Sequence, residues 1–395
     1  MTHDEAIQFV LKLLALMVKK GGSDLFITAG FPAAIKVDGL VTPVSKEPLS
    51  AESSALCMRA LMNDRQLKEF DATNECNFAV APAHIGRFRV SAFVQQGCVG
   101  GVLRTIQTEI PKMEDLGLPE QLKEIVMQKR GLVLLVGATG SGKSTSIAAM
   151  MGYRNEHSQG HIVTIEDPIE YVHPHRHCVV TQREVGVDTM SWDNALKNTL
   201  RQAPDVIFIG EIRTRETMEY ALSFAETGHL VLSTLHANNA NQALDRIIDF
   251  FPEDRRAQVL MDLSLNTRAI VSQRLVRREK GGRVAAMGIL VNSPLIADLI
   301  FKGEVAKIAE VMAESPQFGM ITLDQYLFKL YEERVIGFEE ALRNADSQNG
   351  LRLRIKLESK RSPEDLMKSP GVINMGMKEE KETAWGLRVN RNSQP

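Results

Sequence analysis

The chain has 395 residues, of which 44% are hydrophobic and 24% are charged, and its formal net charge is −2 at pH 7. This length allows two or three domains, each with its own core, and the composition is ordinary for a globular protein. A surface devoted to nucleic acid usually carries a basic excess. The weakly acidic balance therefore argues against nucleic acid as the main partner.

The sequence predicts neither a secretory signal nor a transmembrane segment. Met1 is followed by the acidic Asp4 and Glu5 rather than by a basic start. The most apolar early stretch, Leu11–Val18, is too short to span a bilayer and contains Lys12. The four cysteines are widely spaced and form no Cys-x-x-Cys pair, so they predict neither a disulfide framework nor a zinc site. We therefore expect a cytoplasmic protein.

Residues 1–105 are predicted to form one α+β domain. Apolar residues at helical spacing predict a first helix over 4–20, which Gly21 and Gly22 terminate. Short strand-like runs follow, and Ser50 has the position of an N-cap for a second helix. Strand signals return at 87–94 and 101–104 and complete the domain.

A linker and a second domain are predicted after it. The linker is 106–119, because Pro111, Gly117 and Pro119 interrupt this stretch. Residues 120–355 then alternate strand and helix signals. The strands are short apolar runs bounded by turn residues, which is typical of buried parallel strands, at 132–136, 161–165, 206–209 and 230–233. Apolar content falls beyond this domain, so residues 356–395 are predicted to be a largely disordered tail.

A phosphate-binding loop follows the first of these strands. Residues 137–145 match G-x-x-x-x-G-K-[ST] between a strand and a helix. Glycines let backbone N–H groups surround phosphate oxygens, Lys143 brings a cation to the β- and γ-phosphates, and the Ser144 hydroxyl is placed for Mg²⁺. The helix also presents its positive end to the anion. The predicted nucleotide-binding residues are Gly137, Ala138, Thr139, Gly140, Ser141, Gly142, Lys143, Ser144 and Thr145.

Two acidic segments lie after other strands. Glu166 and Asp167 end one strand, and Glu211 ends another that resembles a Walker B strand. Gly210 stands where an aspartate usually precedes that glutamate. We expect Ser144, water and Glu166 or Asp167 to complete the Mg²⁺ shell, and Glu211 to be the water-polarising base. The alternative for Glu166 is a structural carboxylate that caps the next turn.

His229 and His236 flank the strand that contains Ser233 and Thr234. A histidine beside a phosphate can sense its charge or relay it to a neighbouring subunit. A histidine at a strand end is also commonly a satisfied structural group. The sequence leaves both alternatives open.

Four blocks together resemble the Walker A, Asp-box, Walker B and His-box of the secretion and pilus ATPases, at 137–145, 164–171, 209–213 and 227–237. Gly210 is itself typical of that family. Residues 341–345 and 351–354 resemble the C-terminal segment of the pilus retraction branch. Over roughly residues 4–355 the chain therefore resembles the PilT/PilU retraction ATPases of bacterial type IV pili, and its extended tail is most similar to the PilU branch.

The resemblance implies an α/β protein in which a PAS-like α+β N-terminal domain precedes a RecA-like P-loop ATPase domain. It also implies a hexameric ring that uses ATP and Mg²⁺. Family members place arginines of the N-terminal domain near the γ-phosphate, where a guanidinium stabilises charge on the transferring phosphoryl group. The matching positions are Arg89 and Arg104. The full set of catalytic candidates is Glu211, Glu166, Arg89, Arg104, His229 and His236.

The function that this resemblance implies is an ATP-hydrolysing hexameric motor for type IV pilus retraction and twitching motility. Its implied partners are a PilT-type paralogue and the inner-membrane platform protein of the pilus. Its implied location is cytoplasmic and peripheral, at the inner-membrane base of the pilus. Two alternatives stay open: an ATP-binding accessory or scaffold ring subunit, and a pilus assembly or secretion ATPase. Members of the second group usually carry a four-cysteine zinc insert, which this sequence does not show.

Overall fold

The computed structural model describes residues 1–37, 39–106 and 109–361. The described chain contains a six-stranded sheet in its first part and a seven-stranded sheet in its second part. Buried apolar side chains form one cluster on the first sheet and two clusters on the second. None of the helices in the described ranges is long and apolar enough to cross a bilayer.

The N-terminal sheet is antiparallel and has the order β3-β2-β1-β6-β5-β4. Its strands are β1 Asp24–Ile27, β2 Ala34–Val37, β3 Leu40–Pro43, β4 Glu75–Val80, β5 Arg87–Gln95 and β6 Cys98–Ile106. Its helices are α1 His3–Lys19, α2 Ala51–Arg59 and α3 Asp64–Thr73. Alternate strand residues such as Leu25, Phe88 and Leu103 are fully buried with residues of α1 and α2, so one face of the sheet forms the core.

The first helix begins and ends at the predicted positions to within one residue. Thr2 and Glu5 form a reciprocal capping box, in which each side chain accepts a backbone N–H of the other residue. Gly21 follows the last turn with φ of 65°, a left-handed conformation that glycine adopts without steric cost. Ser50 caps α2 as predicted, accepting from the Ser53 backbone N–H at 3.1 Å.

The predicted linker is partly packed into the second domain. β6 ends at Ile106, and the next helix, α4, is Gln121–Val126. Between them, Met113 and Leu118 are buried in a cluster with residues of the seven-stranded sheet. The second half of 106–119 therefore belongs to the core of the ATPase domain rather than to a free connection.

The second sheet has the order β13-β12-β7-β11-β10-β8-β9, with all neighbours parallel except the hairpin of β12 and β13. Its strands are β7 Gly131–Val136, β8 Gly160–Glu166, β9 Cys178–Glu184, β10 Val206–Ile209, β11 Leu230–Leu235, β12 Thr267–Arg277 and β13 Arg283–Val291. Every residue of β7, β10 and β11 is buried, as both faces are covered by helices. Four of these strands were predicted as buried parallel strands, and the prediction is confirmed.

Helices cover both faces of this sheet and continue to the end of the described chain. They are α5 Lys143–His157, α6 Trp192–Thr199, α7 Arg215–Glu226, α8 Ala240–Asp249, α9 Arg256–Asn266, α10 Pro294–Phe301, α11 Ile308–Glu314, α12 Leu323–Glu332, α13 Phe338–Asn344 and α14 Gln348–Glu358. Because β7, β8, β10 and β11 are parallel, their carboxyl ends share one edge of the sheet. That edge is where a doubly wound sheet binds ligands.

The predicted start of the tail at residue 356 is wrong. α14 continues to Glu358, and the next residues are held by specific contacts. Arg361 stacks on the ring of Tyr331 at 4.2 Å and donates to the Tyr331 carbonyl at 2.8 Å. The periodicity is hard to follow here because α14 is mostly polar and buries only Leu351 and Ile355. The rest of the predicted tail, 362–395, lies outside the described residues.

Candidate active site

The phosphate loop lies at the carboxyl end of β7 and leads into α5. Gly140 and Gly142 have φ of 77° and 87°, values that favour glycine. Gly142 is the N-cap of α5 and provides no side chain to its first turn, so the backbone N–H groups of that turn are available to an anion. The Gln273 amide donates to the Ser141 carbonyl at 2.9 Å, which fixes the loop against β12.

Lys143 is held inside this loop. Its ammonium donates to the carbonyls of Gly137 at 2.7 Å and Ala138 at 2.9 Å. Burial lowers the pKa of Lys143, while the charges of Glu211 and Glu170 act in the opposite direction. The ammonium is therefore a buried cation whose hydrogen-bond partners are two neutral carbonyls, and a phosphate would replace them with charge-assisted bonds.

A cavity of about 590 Å³ opens beside the loop. One wall is the loop and the start of α5, with Thr139, Lys143 and Ser144. The other wall carries residues that lie at, or shortly after, the carboxyl ends of β8, β10 and β11. These residues are Glu166, Asp167, Pro168, Glu170, Tyr171, His173, Gly210, Glu211, Arg213, Thr234 and His236. The topology thus brings all the predicted blocks to one cavity, although more than sixty residues separate the first from the last in sequence.

Glu211 is held on both sides of its carboxylate. Oε2 accepts from Arg213 Nη2 at 2.7 Å and Nε at 2.9 Å, and Oε1 lies 3.0 Å from His236 Nε2. The Thr234 hydroxyl donates to the Gly210 carbonyl at 2.7 Å and ties the end of β11 to this segment. These contacts fix a carboxylate opposite Lys143 in the cavity, where a base or a ligand of hydrated metal could act.

Glu166 is more deeply buried than Glu211 and has different partners. Its Oε1 accepts from the Thr164 hydroxyl at 2.6 Å and from the Gln182 amide at 3.1 Å. Gln182 also donates to the Tyr171 carbonyl at 2.9 Å and accepts from the His173 N–H at 2.7 Å. Burial raises the pKa of Glu166 to about 7, against the opposing effect of these hydrogen bonds. Glu166 therefore lines the cavity and joins β8 to β9 through Thr164 and Gln182, and its role as a catalytic carboxylate or as the cap of the next turn stays a prediction.

The backbone around Gly210 leaves little room for a side chain at the Walker B position. A Cβ at Gly210 would lie 3.3 Å from the Glu166 Cα and 3.3 Å from the Ile165 carbonyl oxygen on the neighbouring strand β8. An aspartate there would press against the backbone that carries Glu166. Glu166 of β8 therefore lies next to position 210, where an aspartate usually stands.

The two histidines lie at opposite ends of β11, as their positions flanking this strand in the sequence predict. His236 follows the carboxyl end of β11 and contacts Glu211, whereas His229 precedes its amino end. His229 Nδ1 bonds locally to the Phe224 carbonyl at 3.1 Å and to the Thr227 hydroxyl at 3.2 Å. Seven residues of extended chain span about 23 Å, so His229 cannot reach the phosphate loop of its own chain. Of these two histidines only His236 lines the cavity, and a role for His229, including a relay to a neighbouring subunit, stays a prediction.

Arg89 and Arg104 do not line the cavity of their own chain. Both lie on the N-terminal sheet, opposite each other on β5 and β6. Arg104 forms an ion pair with Asp24, with a distance of 2.7 Å between Nε and Oδ1. Their proximity to a γ-phosphate stays a prediction, and within one chain it would require a different position of the N-terminal sheet.

Several residues of the site were not among the sequence candidates. Glu170 and Arg213 follow the acidic segments closely, so their blocks already contained the signal. Tyr171 shares a hydrogen bond of 3.0 Å between its OH and Thr145 Oγ1. Gln273 comes from β12, which is more than one hundred residues from the loop that it supports. No local motif identifies Gln273, because its role depends on the strand order.

Comparison with known proteins identifies the family. The model of the family described as "Type II/IV secretion system protein" matches residues 2–294. The type IV pilus ATPase PilU of Pseudomonas aeruginosa is 60% identical over 356 residues, which cover 90% of this chain and 93% of that protein. The type IV pilus retraction ATPase PilT of the same organism is 42% identical, over 85% of this chain and 98% of that protein. The chain belongs to the PilT/PilU family of pilus ATPases.

The solved structures agree. The crystal structure of the pilus retraction motor PilT with bound ADP matches with a TM-score of 0.82 and 38% identity, over 87% of this chain and 99% of that chain. Legionella pneumophila DotB, also an ATPase, matches with a TM-score of 0.74 and 25% identity. The predicted fold class, an N-terminal α+β domain followed by a RecA-like ATPase domain, is confirmed. The protein is a P-loop ATPase that binds nucleotide.

Proposed function

We propose that this chain is the ATP-hydrolysing subunit of a hexameric motor that powers type IV pilus retraction and twitching motility together with a paralogous retraction ATPase. The supporting observation is a complete set of polar groups, including Lys143 and Glu211, around one cavity in a chain that is 60% identical to the Pseudomonas aeruginosa PilU. A subunit that served only as a scaffold would not need a base held opposite the phosphate loop.

In this proposal the triphosphate of ATP lies along the loop 137–142 and the first turn of α5. The backbone N–H groups there donate to phosphate oxygens, and Lys143 exchanges its bonds to the Gly137 and Ala138 carbonyls for the β- and γ-phosphates. Glu211 orients the attacking water and accepts its proton, while His236 and Arg213 hold that carboxylate in place. Glu166 stands beside it as a second carboxylate.

The donor set suits Mg²⁺ bound mainly through phosphate and water. Mg²⁺ prefers oxygen ligands, usually keeps several waters and takes few protein ligands in nucleotide sites. Ser144 supplies one hydroxyl in the cavity, and Glu166 and Asp167 supply carboxylates in the opposite wall. In the described part of the chain no cluster of three or more His, Cys, Asp or Glu side chains could hold a metal by itself. The ion would neutralise charge on the β- and γ-phosphates.

Arg89 and Arg104 are proposed to act on the transferring phosphoryl group in the assembled ring. A guanidinium stabilises charge spread over the equatorial oxygens, and its planar fork can bind two of them. Both arginines lie on one face of a sheet that is separate from the ATPase sheet. They can therefore reach a nucleotide only through an arrangement of domains or neighbouring subunits that brings this face to a cavity.

The place of action that we propose is cytoplasmic and peripheral to the inner membrane, at the base of the pilus. The partners would be a PilT-type paralogue and the platform protein of the pilus, with no role for nucleic acid. This proposal draws on the names of the relatives, which include pilus retraction and twitching motility proteins, and on the weakly acidic net charge of −2.

The experiment is a retraction assay in a strain that lacks this protein, with and without the paralogue. The strain is complemented with the wild-type chain, with Lys143→Ala, or with the control Lys302→Ala, whose exposed ammonium pairs with Asp298. We expect the wild type and the control to restore forceful retraction and Lys143→Ala to fail, because no other cation in the loop faces the γ-phosphate. Full restoration by Lys143→Ala would instead favour the accessory ring subunit.

A further inference from the structure

Asp24, Arg104 and Arg89 lie in one row across the N-terminal sheet. β1 pairs with β6 so that Asp24 is opposite Arg104, and β6 pairs with β5 so that Arg104 is opposite Arg89. Residues directly opposite each other project from the same face of a sheet. We call these three residues the arginine row. It lies on the face away from the core, because the adjacent Leu25, Leu103 and Val90 point into the core.

The two members of the ion pair differ in exposure. Asp24 is 4% exposed, whereas the Arg104 side chain is 70% exposed. Arg104 Nε donates to Asp24 Oδ1 at 2.7 Å, and the Ser23 hydroxyl donates to Asp24 Oδ2 at 2.8 Å. Both oxygens of the buried carboxylate are therefore satisfied, as a buried charge requires.

Only one edge of the guanidinium takes part in this contact. Among the described residues, Arg104 hydrogen-bonds through Nε alone, and its two Nη groups have no protein partner. Arginine carries five N–H donors in a rigid planar fork. A bond at Nε therefore orients the Nη edge and leaves it available, and that edge has the geometry to bind a phosphate through two parallel hydrogen bonds.

Stability alone gives a weak reason for this arrangement. An ion pair with a largely exposed partner contributes little to stability, and the solvation free energy lost by burying a carboxylate is poorly offset by such a pair. Orientation is a stronger reason. An arginine side chain has many rotamers, so an arginine that is already fixed loses less conformational entropy when it binds its ligand.

Arg89 provides the contrast within the same row. Burial raises the pKa of Glu184 on β9, and the charges of Arg89 and Arg87 offset part of that rise. The carboxylate near Arg89 thus belongs to the ATPase domain, and a movement between the domains would change this interaction. Asp24 belongs to the same sheet as Arg104 and moves with it. The orientation of Arg104 is therefore independent of the arrangement of the domains.

We propose that Asp24 is a positioning residue that holds Arg104 in the orientation that meets the transferring phosphoryl group of ATP. This inference rests on the role of Arg104 in the proposed function. Asp24 itself does not touch the nucleotide, since its two oxygens are occupied by Arg104 and Ser23. It acts through Nε of the arginine.

The test is a double-mutant cycle in the purified full-length chain, with kcat and KM for ATP measured for the wild type, Asp24→Ala, Arg104→Ala and the double variant. We expect Asp24→Ala to lower kcat about tenfold, which is the loss of one charge-assisted contact in the transition state. KM should change little, and the double variant should be no slower than Arg104→Ala, because Asp24 has no function once the arginine is absent.

Two further variants separate positioning from folding. Asp24→Asn keeps an acceptor for Nε and the shape of the side chain, so it should recover most of the lost kcat. Asp71→Ala breaks another ion pair of the same domain, Arg59–Asp71, and should leave kcat unchanged. If the melting temperature shows that Asp24→Ala unfolds the domain, the cycle is run with Asp24→Asn instead. We then expect a smaller loss of kcat, about threefold, and no loss from Asp24→Asn in the Arg104→Ala background.

The outcomes distinguish a failure of the positioning role of Asp24 from a failure of the proposed role of Arg104. If Arg104→Ala is slow but Asp24→Ala is as fast as the wild type, the positioning role is wrong and the proposed role of Arg104 survives. Losses that multiply in the double variant would show that Asp24 acts independently of Arg104, which also overturns the positioning role. If Arg104→Ala itself turns over at the wild-type rate, the proposed role of this arginine fails and the role of Asp24 fails with it.

Discussion

The nucleotide cavity and the arginine row are built in different ways. The cavity takes its groups from the ends of neighbouring parallel strands, so the topology of one sheet brings Lys143, Glu166 and Glu211 together in a single chain. The arginine row lies on a separate antiparallel sheet and does not line that cavity. The cavity is formed within one chain, whereas in our proposal the arginine row contributes only after domains or subunits meet. The two regions should therefore respond differently to substitution.

The largest effect is expected inside the cavity, at Glu211. Glu211→Gln keeps the shape of the side chain and an acceptor for Arg213 but removes the base, so kcat should fall by about 10²- to 10⁴-fold. Affinity for ATP should stay within about threefold, because the loop and Lys143 are untouched. Steady-state turnover and nucleotide binding of the purified protein test this. Glu219→Gln, which removes a surface pair with Arg215, is the control. Wild-type turnover in Glu211→Gln would show that another group is the base.

A smaller effect is expected in the arginine row. Arg89→Ala should lower kcat by about tenfold to a hundredfold and change ATP affinity less, because the contact matters most in the transition state. Arg59→Ala in the same domain should retain the wild-type rate. Equal losses in affinity and turnover would contradict the difference between the two regions, since Arg89 would then behave as an ordinary binding residue.

The two histidines sharpen the comparison within the ATPase domain. His236→Ala removes the contact of 3.0 Å to Glu211 and should lower kcat by about tenfold, as expected for one hydrogen bond to a charged group. His229→Ala removes only local bonds at the opposite edge of the sheet and should change kcat by less than about threefold. Turnover measurements on both variants show whether only His236 affects kcat. A large loss in His229→Ala would indicate that this histidine acts across a subunit boundary.

The sequence predicted the features that are local in the chain and missed the contacts that depend on strand order. The loop 137–145 and the acid segments are contiguous motifs, and each lies at the end of a strand that hydrophobicity reveals. The pairing of Asp24 with Arg104 and the support of the loop by Gln273 depend on strand order and register, which a single sequence does not display. The distance between His229 and His236, by contrast, can be read from the sequence. A six-residue strand separates it from His236, and the length of an extended strand already places the two at opposite edges.

The smallest effect concerns stability and pH at Glu166. Burial raises the pKa of Glu166 from 4.5 to about 7. As pH rises the unfolded carboxyl loses its proton first, so the folded state is disfavoured progressively between about pH 4.5 and 7 and no further above that range. Glu166→Gln mimics the protonated acid, and its melting temperature should therefore fall a few degrees less than that of the wild type between pH 5 and 8. Identical pH profiles of the melting temperature would show that folding does not raise the pKa of Glu166.

The most direct test of the whole account is a structure of the assembled full-length protein with a non-hydrolysable ATP analogue and Mg²⁺. The account predicts that the γ-phosphate lies between Lys143 and Glu211 at the carboxyl edge of the sheet. It also predicts that the Nη groups of Arg104 lie within hydrogen-bond distance of a phosphate oxygen while Nε remains on Asp24. A nucleotide bound in this cavity with Arg104 turned away from every phosphate, or a nucleotide bound elsewhere on the chain, would contradict it.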